Sequence, residues 1–334
     1  MNLPRDVWNI ISSFMPTHTI VNYRVADSFS RTLSLRHIPN NEHVKGRLKY
    51  WKASFPNATQ ISFRYMRVFQ PDEFKYLEGV SDLLLRTYFP RAISSHEFRH
   101  MNLTSLNLLN SPSSQYTEFS DAMCPYLTGL TTLKMDNNHC ITDIGMSQLT
   151  RMKYLYLYNV TRITDEGIRT MSDLRVLKTY NLFRLTDNLL RFIPKLEELS
   201  DTYGHFTSNG ISTLKRLKKI CLNSAIWVFN LNGFETLLDL TEVKLIHCRI
   251  IDSHLQNICH ISNLMMYYVN VIGSGLHLLK NLDTLEMHYT GLQDEYMDDL
   301  LTLNLKYLGI YKCTITHTKR KELKDKLGDI FHTD

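Results

Sequence analysis

The sequence contains no run of 18 apolar residues, so it predicts no membrane-spanning helix. It also lacks the basic stretch and apolar core of a secretory signal, because the chain starts with MNLPRD. Only six cysteines occur in 334 residues, and without export we expect them to stay reduced. These features predict a cytoplasmic or nuclear protein with no membrane partner.

A repeat of the form L-x-x-L-x-L, with other apolar residues at some positions, runs through most of the chain. Leu103-Thr-Ser-Leu106-Asn-Leu108 is a good example. The last two apolar residues alternate, so they point to one side of a short strand. Stacked copies would bury that side in a parallel ribbon. The first positions of the twelve copies are Ala58, Val80, Leu103, Leu130, Met152, Leu174, Leu196, Leu217, Leu240, Ile261, Leu282 and Leu305.

The second half of each copy also recurs, as in Ile141-Thr142-Asp143-Ile144-Gly145 and Ile163-Thr164-Asp165-Glu166-Gly167. Here an apolar residue enters the core, and Thr or Asp then caps a short helix. This period and pattern resemble leucine-rich repeats of the cysteine-containing type. In that type a Cys or Asn follows the strand. The ninth position of three copies is Asn138, Cys248 or Cys313, which predicts a buried ladder position.

The resemblance implies an α/β fold: a leucine-rich-repeat solenoid with a curved parallel β ribbon inside and short helices outside. We interpret residues 111–114 as a loop insertion. Leu323, Leu327, Ile330 and Phe331 recur at helical spacing and predict a helix that caps the end of the core. The predicted domains are a helical domain (1–40), a linking helix (41–57), the solenoid (58–317) and the C-terminal capping helix (318–334).

Positive charge is confined to the segment before the repeats. Residues 1–57 carry eight Lys or Arg and three Asp or Glu, which accounts for the whole net charge of +5. The rest of the chain carries 30 residues of each sign. A solenoid that binds nucleic acid should be basic along its length, so we expect no nucleic-acid partner.

The N-terminal segment begins with an apolar helical face made by Val7, Ile10, Ile11 and Phe14. The pattern also includes a Leu-Pro opening, an acidic residue two positions later and a further Pro. It continues with a Val four residues before an aromatic residue. Together they resemble the all-α F-box motif, and its position before leucine-rich repeats reproduces a known family architecture. The matching residues are Leu3, Pro4, Asp6, Val7, Trp8, Ile11, Phe14, Met15, Pro16, Val25 and Phe29.

Similarity to F-box proteins with leucine-rich repeats implies a substrate-recognition subunit of a Skp–cullin–F-box ubiquitin ligase. The partners would be a Skp-type adaptor, through it a cullin, and a protein substrate. The chain would act by proximity, as a non-enzyme without a cofactor. The adaptor-binding residues carried over are Leu3, Pro4, Val7, Ile11, Phe14, Pro16 and Val25.

Positions three, five, seven and eight of each copy should face outward on the concave side. These positions are rich in tyrosine, which offers a large contact area with few rotatable bonds and is typical of binding hot spots. The alternative is that tyrosine simply suits strands. Neighbouring charges of both signs suit a protein partner. The predicted substrate-binding residues are Tyr154, Tyr156, Tyr158, Tyr180, Tyr203, Tyr267, His288, Tyr289 and Tyr311, and Tyr65, His247, Met265, Tyr268 and Tyr307 share the same positions.

Two other interpretations stay open. In the first, the N-terminal helices only cap an interaction scaffold, since every repeat array needs a cap. In the second, His96-Glu97-Phe98-Arg99-His100 matches H-E-x-x-H and would bind zinc on a helix. We expect no metal there, because the helix is short and no third ligand follows at a suitable spacing. Gly273-Ser274-Gly275 lacks the Lys of a phosphate loop and predicts a tight turn.

Overall fold

The computed structural model describes residues 37–38, 59–63, 75–85, 95–109, 119–224 and 230–334, with the backbone alone for 37–38 and 62–63. The chain divides into two compact units, Met1–Met171 and Ser172–Asp334. The predicted adaptor-binding residues, the linking helix, Tyr65 and the loop insertion at 111–114 lie outside the described residues.

The described part of the first unit is a sheet of six parallel strands, each paired with the next along the chain. From β2 onward, every strand begins two residues after a predicted first position, which confirms the repeat. The first strand lies within residues 1–40, the segment predicted as a helical domain, and the other residues of that segment lie outside the described ranges. The strands are β1 (His37–Ile38), β2 (Gln60–Phe63), β3 (Asp82–Leu85), β4 (Ser105–Leu108), β5 (Thr132–Asp136) and β6 (Tyr154–Tyr158).

The second unit repeats this arrangement with eight parallel strands, again paired in chain order. Its first seven strands also begin two residues after a predicted first position. The strands are β7 (Val176–Tyr180), β8 (Glu198–Thr202), β9 (Lys219–Asn223), β10 (Glu242–Ile246), β11 (Asn263–Tyr267), β12 (Thr284–His288), β13 (Tyr307–Tyr311) and β14 (Phe331–Thr333).

Side chains alternate along each strand between the core and the solvent. In β6, Leu155 and Leu157 are fully buried, while the flanking tyrosines are exposed or half-buried. One side of a strand this short cannot be shielded from water alone, so burial of these leucines depends on the neighbouring copies. The tyrosines stay on the opposite side, called here the strand face.

Short helices follow the strands, as predicted. Four are single α-helical turns, and in each a threonine side chain accepts a hydrogen bond from the first turn's backbone N–H. Other copies form 3₁₀ helices instead. The α-helical turns are Asp143–Met146, Asp165–Ile168, Asp187–Leu190 and Ser208–Ile211. The 3₁₀ helices between strands are Ser95–His100, Asp121–Tyr126, Phe234–Thr236, Asp252–Ile258, Leu276–Leu278 and Asp294–Thr302.

An aspartate at the start of one helix binds the threonine cap of the next. The Asp143 carboxylate accepts hydrogen bonds from the Thr164 backbone N–H at 2.8 Å and from its hydroxyl at 2.7 Å. Asp187 accepts from Thr207 in the same way, at 2.9 and 2.6 Å. Each aspartate therefore links two copies, which explains why the Thr-Asp phrase recurs.

The predicted ladder at position nine is confirmed. Asn138 is buried; its amide donates to the Phe119 carbonyl at 3.0 Å, and its oxygen accepts from two backbone N–H groups. Cys248 and Cys313 are also buried, with their sulfurs near carbonyls of their own and the preceding copy. These side chains satisfy the backbone where a strand turns away from the sheet.

The C-terminal segment is only partly helical, which corrects the prediction for 318–334. The α-helix His317–Leu327 ends at Gly328, whose φ of 60° lies in the left-handed region. A 3₁₀ turn, Gly328–Ile330, then leads into β14. Phe331 is 1% exposed and its backbone pairs with β13, so it enters the core from a strand.

Candidate functional site

The nine predicted substrate-binding residues lie on the strand faces of the two units, and each is exposed or half-buried. Tyr154, Tyr156 and Tyr158 share β6 in the first unit, where the Lys134 ammonium lies 4.5 Å from the Tyr156 ring centre. The other six belong to the second unit. The structure brings several of these together in two rows of stacked rings.

Position seven of three adjacent strands forms the first row. The ring centres of Tyr267 and His288 are 4.4 Å apart, and those of His288 and Tyr311 are 4.6 Å apart. Adjacent strands in a sheet lie about 4.7–4.9 Å apart. The rings therefore stack because the register places them side by side.

Position eight of three copies forms the second row. His247 stacks on Tyr268, and Tyr268 stacks on Tyr289, both with ring centres 4.4 Å apart. Tyr268 and Tyr289 are 47% and 48% exposed, so both residues are open to solvent. Elsewhere in the second unit, Tyr180 and Tyr203 pack edge to face at 5.5 Å.

The backbone at position eight is left-handed in nine described copies, with φ between 49° and 60°. Asparagine tolerates this conformation, whereas most side chains pay roughly 1–2 kcal/mol. The tyrosine and histidine rings at this position therefore have a strained backbone conformation. The residues are Asn137, Asn159, Asn181, Tyr203, Ser224, His247, Tyr268, Tyr289 and Lys312.

Glu286 lies beside the first row. Its Oε1 accepts hydrogen bonds from the Tyr267 hydroxyl at 2.5 Å and from His288 Nε2 at 2.6 Å. Burial opposes ionisation of this carboxyl, but the bonds from Tyr267 and His288 outweigh burial and lower its pKa. Burial and the bond to Glu286 raise the pKa of Tyr267, so that hydroxyl stays protonated. The row thus contains a fixed negative charge.

Two contributors to this surface were not among the predicted site residues. Glu286 had no signal of its own in the sequence; its contact with Tyr267 depends on the register of β11 and β12. His332 stacks on Tyr307 with ring centres 4.8 Å apart. His332 was not predicted because the apolar residues before it have helical spacing, whereas Phe331–Thr333 forms a strand.

A buried carboxylate interrupts the core beneath this face. Asp201 takes position six of β8, is 6% exposed, and accepts a hydrogen bond from the Thr179 hydroxyl at 2.6 Å. Burial raises the pKa of Asp201 to about 6, although the Thr179 bond acts in the opposite direction. A side chain at Gly204 would collide with this carboxylate, so the loop can approach it only with glycine there.

The two other motifs are both in the described part of the chain. The segment Ser95–His100 is a 3₁₀ helix in which the buried Glu97 carboxylate lies 3.3 Å from His96 Nε2. In the described ranges, no three His, Cys, Asp or Glu side chains converge as metal ligands. The N–H groups of Ile272, Gly273 and Gly275 all bind the Asp252 carboxylate, which confirms a tight turn. No helix in the described ranges is both long and apolar enough to span a bilayer.

Comparison with known proteins identifies the fold. No protein-family model matches the sequence, and no curated protein matches it. A leucine-rich-repeat protein of Leptospira interrogans is similar in structure, with a TM-score of 0.59 and 17% identity. That match covers 92% of this chain and 85% of the other. An internalin of Listeria monocytogenes gives a TM-score of 0.52 and 18% identity, over 80% and 77% of the two chains. The fold is therefore a leucine-rich-repeat solenoid.

Proposed function

We propose that this chain is the substrate-recognition subunit of a Skp–cullin–F-box ubiquitin ligase. Its N-terminal segment binds a Skp-type adaptor, and the strand face binds a target protein. The observation that carries target recognition is the placement of Tyr203, Tyr268 and Tyr289 in left-handed backbone, where Asn137 has the tolerant side chain. The F-box-like residues directly before the repeats support the adaptor role.

The surface of the second unit suits a protein partner. The two stacked rows are rigid, so their rings lose little rotamer freedom on binding. Charges of both signs lie on other strands of this unit: Lys178 pairs with Glu198, and Lys219 pairs with Glu242 at 2.7 Å. Rim charges of this kind guide orientation, while buried aromatic contacts supply most of the binding free energy.

The proposed mechanism is proximity without chemistry by this chain. A target held on the strand face is presented to a ubiquitin-charged enzyme on the same cullin. This converts an encounter between two molecules into an intramolecular one. The chain would act in the cytoplasm or nucleus and needs no cofactor for this role.

The test is a binding assay between the purified chain and a eukaryotic Skp adaptor. The Leu3→Ala/Pro4→Ala variant should lose adaptor binding. A matched control, Leu238→Ala/Pro194→Ala, changes the same residue types at exposed positions of the second unit and should bind normally. The Tyr268→Ala/Tyr289→Ala variant should also bind the adaptor normally.

Failure to bind any adaptor would refute the ligase role. The chain would then be an interaction scaffold whose N-terminal residues cap the repeats. Equal loss of binding in the control variant would assign the effect of Leu3→Ala/Pro4→Ala to general destabilisation.

A further inference from the structure

Glu286 lies on the strand face of β12, next to β13. Thr284 and Tyr307 are register partners on these strands, and so are Glu286 and Gly309. Thr284 is much smaller than Tyr307, so the strand face steps down from the Tyr307 ring to β12, and this step is called here the recess. Glu286 lies two residues further along β12, on the same face as Thr284.

In the described residues, no second ring and no cation stacks on the β12 side of the Tyr307 ring, which faces this recess. The other face of the Tyr307 ring stacks on His332 of β14, on the far side of β13. Gly309 allows this arrangement, because a β-carbon there would lie 3.0 Å from the Tyr307 ring and 2.7 Å from the Tyr311 ring. The two rings close over Gly309, and their hydroxyls are 3.0 Å apart.

The Glu286 carboxylate has one oxygen available to a ligand. Both hydrogen bonds, from Tyr267 and His288, go to Oε1. Oε2 accepts no hydrogen bond from the described part of the chain, and the side chain is 22% exposed. The recess therefore combines a fixed negative charge with an aromatic face.

We infer that Glu286 and the β12 side of the Tyr307 ring bind an arginine side chain of the target protein. This inference rests on the proposed recognition of a protein by the strand face. A guanidinium group is planar, so it can stack on Tyr307 while its N–H groups donate to Glu286 Oε2. An ammonium group is a compact, strongly hydrated charge and cannot stack.

The chain's own lysine does not occupy this recess. The Lys244 ammonium lies 4.8 Å from the Tyr267 ring centre, on β10. His288 covers the β12 side of Tyr267, so Lys244 takes the opposite side. The contact between Lys244 and Tyr267 shows that a tyrosine ring on this strand face accepts a cation.

The probe is N-acetyl-arginine amide, titrated into the full chain labelled with ¹³C in its tyrosine rings. The resonance of Tyr307, assigned by its absence in Tyr307→Leu, should shift and saturate. Glu286→Gln keeps an acceptor for Tyr267 but removes the charge, and should weaken binding about tenfold. Thr284→Leu fills the recess and should abolish the shift. Glu235→Gln is the matched control, at an exposed position of the 3₁₀ helix Phe234–Thr236, and should leave binding within about twofold.

A native chain without a saturable shift would overturn the inference, as would equal binding by Glu286→Gln. An equal response to the probe N-acetyl-lysine amide would overturn the choice of arginine. Thermal unfolding of each variant separates loss of the site from loss of the fold. Binding to the Skp adaptor is a separate measurement. A chain that binds the adaptor but not the arginine probe refutes this inference alone, and the reverse result refutes the ligase role alone.

Discussion

Gly167 lies directly against the carboxylate of Asp143 in the preceding copy. A β-carbon at Gly167 would lie 2.5 Å from Asp143 Oδ1 and 3.2 Å from its Cα. The carboxylate cannot move away without breaking its two bonds to Thr164. At this junction, glycine leaves the Asp143 carboxylate the room that it needs to bind Thr164.

Gly167→Ala should destabilise the protein by about 1–3 kcal/mol, as overpacking does. The better helix propensity of alanine, worth about 1 kcal/mol, opposes this effect and does not cancel it. Gly291→Ala is the control, because the nearest atom to its new β-carbon would be 3.9 Å away. Chemical denaturation measures both changes. A stabilised Gly167→Ala variant would show that the Asp–Thr link tolerates displacement.

Asn138→Ala should cost about 2–4 kcal/mol. The substitution leaves the Phe119 carbonyl and the N–H groups of Cys140 and Ile141 without their partner. Asn209→Ala, at an exposed helical position, should change stability by less than about 0.5 kcal/mol. Equal free energies of unfolding for the two variants would contradict the role assigned to the ladder.

Ser224→Asn should stabilise the protein by a few tenths of a kcal/mol, up to about 1 kcal/mol. Ser224 has a φ of 53°, a conformation that asparagine tolerates better than serine. The same substitution at Ser105, inside β4, should have the opposite sign because asparagine disfavours strands. Melting temperatures of the two variants test the sign directly.

Asp201→Asn should raise stability, and more so at pH 8 than at pH 5. The folded pKa of about 6 lies above the ordinary value of 3.8. Folding therefore favours the protonated form of Asp201. The stability that this form contributes is complete below pH 3.8 and is lost as pH rises through about 6. The penalty at neutral pH is roughly 3 kcal/mol.

The measurement for Asp201→Asn is the difference in melting temperature from the native chain at each pH. Asp173→Asn removes an exposed carboxylate that pairs with Lys195, and its difference should stay small at both pH values. A difference for Asp201→Asn that does not change with pH would mean that Asp201 is ionised without penalty.

The repeat was predictable because it depends on local alternation. Leu106 and Leu108 are two residues apart, so they share one face of a strand whatever the rest of the chain does. Twelve copies at a nearly constant period then determine which strands are neighbours. Thr142 and Thr164 as helix caps follow from the same local chemistry.

The features that could not be predicted from the sequence depend on contacts between copies. Phe331 fits the helical spacing of Leu323 and Leu327, yet it belongs to a strand because its backbone pairs with β13. Glu286 is one of several acidic residues on the strand face, and only the register of β11 and β12 brings Tyr267 to it. The left-handed backbone at Tyr268 and Tyr289 has no signature in those residues themselves, because asparagine is the usual indicator.

The stacked rows of the second unit form a grid with a fixed step. Each ring follows the next at 4.4 to 4.6 Å, one strand at a time. A partner displaced by one strand would meet rings at nearly the same spacing. Their chemistry would differ, because a histidine would stand in place of a tyrosine. The position of each ring on this surface is therefore set by the number of strands before it. Removing one copy would move every later ring by one strand relative to the earlier ones.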